Sequence, residues 1–204
     1  MKYFIAHLLS GDAAAFHEGV TRELSARFGT FPLHERVPPH LTVKTPFETD
    51  EHGILEIERI LRAFATHERA ESFMFRGFGK FGFRTAYLDV PRGAPAVSLV
   101  RRLLTTLAVN APWLPRNPRE GNKLHASVAR FMTRRQSRHV WRHFKGVRPV
   151  FFLSLDNLAI LEKNGRAWRV RALIPLPAER GDEYAGFAIP AAARAATAGA
   201  ARWT

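Results

Sequence analysis

Cysteine is absent from this chain of 204 residues. That excludes disulfides, thiolate nucleophiles and every zinc or iron-sulfur site that needs a thiolate ligand. It also fits a reducing compartment, so a cytoplasmic location is the expectation. Long apolar runs are missing as well. No stretch approaches the roughly 18 residues of a membrane span, and the run at residues 3–9 stops at Ser10-Gly11-Asp12, too short for a signal-peptide core and cleavage site. Acidic side chains are scarce, 18 Asp and Glu against 31 Lys and Arg, giving a formal net charge of +13.

The acidic deficit is local. Residues 1–75 carry 8 basic and 11 acidic side chains, residues 76–176 carry 20 and 4, and residues 177–204 carry 3 of each. Such an asymmetry favours a polyanionic partner over a merely solvated basic face. No clean basic amphipathic helix with an aromatic apolar face stands out, so a membrane surface is not the expected partner. With 46% hydrophobic residues the chain can bury a core of ordinary size without staples.

Periodicity orders the elements. Residues 2–9 read as a strand, and Asp12 is placed to cap a helix through Phe16, Val20, Leu24 and Phe28 to Gly29. Pro38-Pro39 delivers an extended chain into a strand at 40–45, and Ile54, Ile57, Leu61 and Phe64 mark a second helix. Two aromatic-rich strands follow at 72–80 and 84–90, then a third helix through Val97, Val100, Leu103, Leu104 and Leu107. Pro112, Pro115 and Pro118 forbid regular structure until a strand at 123–131, and Thr133 can cap a basic helix at 134–144. Runs at 150–162 and 167–176 flank Asn164-Gly165, a strong hairpin signal. This is an α+β order whose halves echo each other, as an internal duplication would. Residues 1–176 are expected to form one bilobal domain, and the Ala-rich tail at 177–204 a frayed helix or a disordered segment.

Two tetrapeptides share one form, His40-Leu41-Thr42-Val43 and His125-Ala126-Ser127-Val128. On a strand, residues i and i+2 share a face, so each imidazole lies beside a hydroxyl while the apolar residues enter the core. A given His starts such a pattern by chance roughly 2% of the time, and two matches among nine His are expected in about 1 or 2% of such sequences. Two imidazoles and two hydroxyls suit the displacement of a phosphodiester. One His takes the proton of an attacking water, the other protonates the departing alkoxide, and the hydroxyls hold the non-bridging oxygens.

These paired motifs, their separation of 85 residues (125 − 40) and the strand-helix order around them resemble the 2H phosphoesterase superfamily, in its bacterial and archaeal branch of 2'-5' RNA ligases and RNA 2',3'-cyclic phosphodiesterases. The resemblance covers roughly residues 2–176. It implies two antiparallel sheets with flanking helices related by a pseudo-twofold axis, with the active-site groove between them. It further implies metal-independent hydrolysis of 2',3'-cyclic phosphates to 2'-phosphates. No cofactor is expected, and the protein is expected to be a monomer. Carried over by position, His40 and His125 are the catalytic pair and Thr42 and Ser127 the phosphate-binding hydroxyls. Ser127 stands where Thr is commoner in the family and keeps the donor. His125 is assigned the base and His40 the acid.

Around the motifs, strict alternation puts Lys44 on the face of His40 and turns Arg130 away from His125, so Lys44 ranks above Arg130 as a phosphate contact. Phe47 and Phe131 are candidates to stack a terminal base. Arg130, Arg134, Arg135 and Arg138 are candidates for the RNA body. His139 and His143 have metal-like i, i+4 spacing but no acidic or thiolate companion, so no metal is expected there. His7, His17, His34, His52 and His67 carry no partner pattern and read as surface or strand-edge residues. The Pro-rich loop at 110–122 is a candidate gate over substrate. The expected partner is an RNA or nucleotide ending in a 2',3'-cyclic phosphate, with reverse 2'-5' ligation as a side reaction. A small nucleotide-derived cyclic phosphate as substrate, or an RNA-binding protein without turnover, are the competing readings.

Overall fold

The first strand is buried on both faces and already separates two apolar layers. In the computed structural model, which describes residues 1–178, strand β1 (Lys2–Leu8) sends Tyr3 and Ile5 into the main core, while Phe4 and Ala6 join a smaller cluster with Ala159 and Leu161. Helix α1 (Gly11–Phe28) starts at Ser10 rather than Asp12, without a side-chain cap, and ends at Gly29 in the left-handed region. Strand β2 (His40–Glu48) pairs antiparallel with β1. Helix α2 (Glu51–His67) is capped by Asp50, whose carboxylate accepts from the Gly53 N–H.

The same unit then recurs. Strands β3 (Glu71–Arg76), β4 (Phe78–Phe81) and β5 (Thr85–Asp89) lead into helix α3 (Pro95–Asn110) and strand β6 (His125–Ala129), and β6 pairs antiparallel with β5 as β2 does with β1. Helix α4 (Arg134–His143) opens with the expected Thr133 cap, here a full capping box with Gln136. Strands β7 (Val150–Leu155), β8 (Asn157–Asn164) and β9 (Ala167–Pro175) finish the domain.

Both motif strands end at the edges of sheets. One sheet has the order β2-β1-β8-β9, another β4-β5-β6, and β3 pairs with β7. Gly77 joins the latter two: its N–H donates to Pro149 O and its carbonyl accepts from Asp89 N–H, and φ of +75° makes glycine the suited residue at this bend. The molecule therefore has two antiparallel layers, the second bent at Gly77. The run at 150–162 divides at Asp156, its first part pairing with β3 and its second with β1. Each layer is thus closed by a strand from the last third of the chain. The tail at 179–204 lies outside the described residues.

Candidate active site

The two motif strands carry the same irregularity at the same place. On β2, Thr42 lies opposite Ala6 but Lys44 opposite Ile5, so Val43 is an extra residue; on β6, Ser127 lies opposite Tyr87 but Ala129 opposite Ala86, so Val128 is an extra residue. A bulge of this kind reverses the inside-outside alternation of everything beyond it. Arg130 therefore turns back to the face of His125 and Ser127, and Lys44 turns away from His40 and Thr42.

The consequence is an exchange of roles. Lys44 and Glu120 form a buried ion pair at 2.8 Å, their side chains only 5% and 7% exposed, and the Lys44 ammonium also donates to Pro115 O. Glu120 accepts from both the backbone N–H and the hydroxyl of Thr45. Lys44 is thus a buttress and not a phosphate contact. Arg130 instead lines the cavity that holds His40 and Thr42, and burial lowers its pKa.

That cavity, about 230 Å³, is walled by Phe31, Arg36, Phe131 and, from the β8-β9 hairpin, Lys163, Arg166 and Trp168. Phe131 is 56% exposed, meets Phe31 edge-on at 5.4 Å and lies 5.0 Å from the Arg130 guanidinium. Its φ of +58° is strained for a bulky residue and fixes the ring at the mouth. Phe47 is only 3% exposed and packs on Tyr3 in the core, so it stacks no base. Arg134, Arg135 and Arg138 are exposed on α4, outside the cavity wall, with Arg134 over the Phe83 ring.

Both imidazoles are held alike. His40 Nδ1 bonds Pro38 O at 2.8 Å and His125 Nδ1 bonds Lys123 O at 2.9 Å, each to the carbonyl two residues earlier. A carbonyl only accepts, so Nδ1 carries the proton and Nε2 is left as the base. Their rings are clamped by neighbouring aromatics, His40 by Phe4 and His125 by Phe81 and Tyr87. Burial pushes His40 down to about 4, with the charges of His17, Arg130 and His125 adding to the fall against the Pro38 bond. His125 is lowered mainly by burial too, and Arg130 and Lys123 add to the fall, but the Asp89 carboxylate acts in the other direction.

His17 was missed as a surface residue. It is buried in α1 and donates from Nε2 to Ser127 O at 2.8 Å, tying the first helix to the second motif strand, and burial holds its pKa at about 4. The signal was available, because 17 falls on the apolar stripe of Ala13, Phe16, Val20 and Leu24. His7 is buried as well, facing Phe73 edge-on. His139 and His143 lie against Phe28 at the end of α1, and His143 meets Glu23 at 3.2 Å. The Pro-rich loop is pinned by Glu120 and by Trp113 Nε1 donating to Glu56, and none of its residues lines the His40 cavity; it holds β2 instead of gating it.

The family model for the 2'-5' RNA ligase superfamily matches residues 12–167, which include both motifs. The chain belongs to that superfamily. No curated protein is significantly similar to it in sequence. Among solved structures, this 2'-5' RNA ligase superfamily member resembles TT0787 of Thermus thermophilus with a TM-score of 0.61 at 16% identity, covering 88% of this chain and 100% of that one. It also resembles E. coli LigT complexed with 3'-AMP, with a TM-score of 0.54 at 18% identity over 86% and 97% of the two chains. These likenesses establish the 2H phosphoesterase fold, and the superfamily makes the protein a phosphoesterase. Among the described residues no helix is long and apolar enough to cross a membrane.

Proposed function

We propose that this phosphoesterase opens a 2',3'-cyclic phosphate at an RNA end to a 2'-phosphate, with His40 and His125 as its acid-base pair. The observation that carries the reading is the duplicated imidazole geometry, two rings with Nδ1 fixed on a backbone carbonyl and Nε2 left for the proton. A water oxygen attacks phosphorus as its proton passes to one Nε2. The bond from phosphorus to O3' breaks, and O3' takes a proton from the other imidazole, leaving a 3'-hydroxyl and a 2'-phosphate. Thr42 and Ser127 supply neutral donors to the non-bridging oxygens, and Arg130 supplies the charge. Phe131 offers a face to the terminal base.

The charges around the two imidazoles bear on the order of the pair. His40 is pushed down to about 4 with no carboxylate acting on it, whereas His125, lowered by burial and by Arg130 and Lys123, has the Asp89 carboxylate opposing that fall. This supports His125 as acid and His40 as base, the reverse of the order that the family resemblance implies. The same site run backwards would join a cyclic phosphate to a 5'-hydroxyl. A second reading, a single cyclic nucleotide as substrate, draws support from the small aromatic cavity of about 230 Å³.

The test is hydrolysis of mononucleotide and oligoribonucleotide 2',3'-cyclic phosphates in chelator by wild type, His40→Ala and His125→Ala. Exclusive 2'-phosphate product, with each variant slower by roughly a hundredfold or more, is expected. Equal inertness of wild type and variants on both substrates would end the reading.

A further inference from the structure

Three surface arginines of the first two helices are paired one turn away along their own helix, Arg22 with Glu18, Arg27 with Glu23 and Arg62 with Glu58. On the far side of β4 the opposite holds. A recess of about 780 Å³ between β3-β4 and α4-β7 is lined by Arg76, Arg142, Lys145 and Arg148, and no acidic side chain lines it. None of these four exposed cations has an acidic partner among the described residues. Packing like charges round one hollow is unfavourable until an anion enters it.

The floor is aromatic. Phe78 stacks on Phe144 at 3.8 Å and 1°, Trp141 meets Phe144 edge-on, and the Lys80 ammonium lies 5.6 Å over the Trp141 ring. Cations spaced around a hollow with an aromatic floor are what a single-stranded nucleic acid uses, phosphates on the rim and a base on the ring. A concave wall suits a flexible strand better than a flat bilayer. The recess shares no lining residue with the His40 cavity. It is nonetheless close to the other histidine, for β4 presents Phe78 to the recess and, three residues on, Phe81 to His125 at 4.9 Å. Three residues of strand span about 10 Å. A strand of about four nucleotides or more, ordinary for such binders, reaches round the free edge of β4 from one to the other.

We propose that this recess holds the body of a single-stranded RNA whose cyclic-phosphate end lies between the histidines, a reading that rests on the function proposed above. Arg142 and Arg148 contact successive phosphates, and Trp141 takes a base. A duplex would not turn round the edge of β4, so the site selects unpaired ends.

The experiment compares wild type with Arg142→Glu/Arg148→Glu, both changes being on exposed side chains. It measures turnover of a mononucleotide and an oligoribonucleotide 2',3'-cyclic phosphate, and binding of a labelled oligoribonucleotide by anisotropy across salt. Mononucleotide kinetics should be unchanged, oligomer KM and Kd should rise roughly tenfold or more, and the salt slope should fall by about 1.4, or about 0.7 for each lost phosphate contact. Unchanged oligomer KM, Kd and slope would overturn the proposal. Should wild type turn over neither substrate, the catalytic reading fails, and the anisotropy arm still decides the recess. If the variant keeps its RNA affinity but loses binding to phosphatidylserine vesicles, the recess is a membrane contact and the proposal falls.

Discussion

Strands β2 and β6 are the same device with different freight. Each carries a His, a hydroxyl two residues on, an extra valine that reverses the alternation, and an imidazole tied to the carbonyl two residues back. Beyond the bulge they part. Strand β2 delivers Lys44 into a closed ion pair with Glu120 and points Thr45 at the same carboxylate, whereas β6 delivers Ala129 to the core and Arg130 to the groove. The difference shows that duplication preserved the proton-transfer geometry and divided the charges, one half supplying a rigid wall and the other the positive field. The charge asymmetry of the chain is the same division written at larger scale.

The comparison is sharpest at the histidines. Losing either should cost about 10²- to 10⁴-fold in kcat/KM on a natural cyclic phosphate. On a substrate with a good leaving group such as p-nitrophenol, the variant lacking the acid should recover most of its rate and the variant lacking the base should not. The field at His125 predicts that His125→Ala is the one rescued; rescue of His40→Ala would reverse the assignment.

The buttress comes next. Lys44→Met leaves Glu120 buried without its cation and should cost about 3–5 kcal/mol of stability, read from the urea midpoint. The corresponding change on the other strand, Ala129→Ser, should cost clearly less. Equal losses would mean that the two strands are not differently loaded.

His17 links the halves and gives the comparison a pH dependence. Its folded pKa of about 4 lies below the ordinary 6.5, so the unfolded chain binds the extra proton first. Stability is therefore complete above about 6.5 and falls as pH drops towards 4, by about 3 kcal/mol from this group. Because Gln can keep the donor to Ser127 without titrating, His17→Gln should flatten that part of the profile. An unaltered acid limb would remove His17 from the account. The smallest effect is expected at Arg130. Arg130→Met should lower kcat/KM about 10- to 150-fold, the worth of one hydrogen bond to a charged group, with Arg130→Lys in between. Equal rates for all three would return the phosphate charge to some other residue.

Most of the architecture could be read in advance because it rests on local periodicity. The motif strands alternate, the helices show their apolar stripes, and Thr133 was legible as a cap because a hydroxyl preceded a helical run. The catalytic pair was legible for the same reason, alternation placing each hydroxyl beside its imidazole. What failed was the strict counting of faces just beyond the two bulges. Neither Val43 nor Val128 has the glycine or proline that advertises a break, so strict counting put Lys44 in the groove and Arg130 outside it. Phe47 is a different case: strict alternation already puts it on the core face with Leu41 and Val43, and the second shift of register, between Lys44 and Phe47, restores that parity, so its core position was legible. The hairpin residues Lys163, Arg166 and Trp168 and the division at Asp156 depend on pairing across about 150 residues, which no local pattern encodes.

That division at Asp156 has a bearing on how the protein is born. A ribosome that has released the first 145 or so residues has already made both motifs and, among the described residues, every helix and six of the nine strands. Yet β1 and β3 still lack their antiparallel neighbours β8 and β7, and each exposes an open edge until these arrive. The enzyme therefore cannot assemble lobe by lobe during synthesis. It must wait for its last strands and close both layers together, which makes folding slow for its size and exposes the nascent chain to edge-to-edge aggregation.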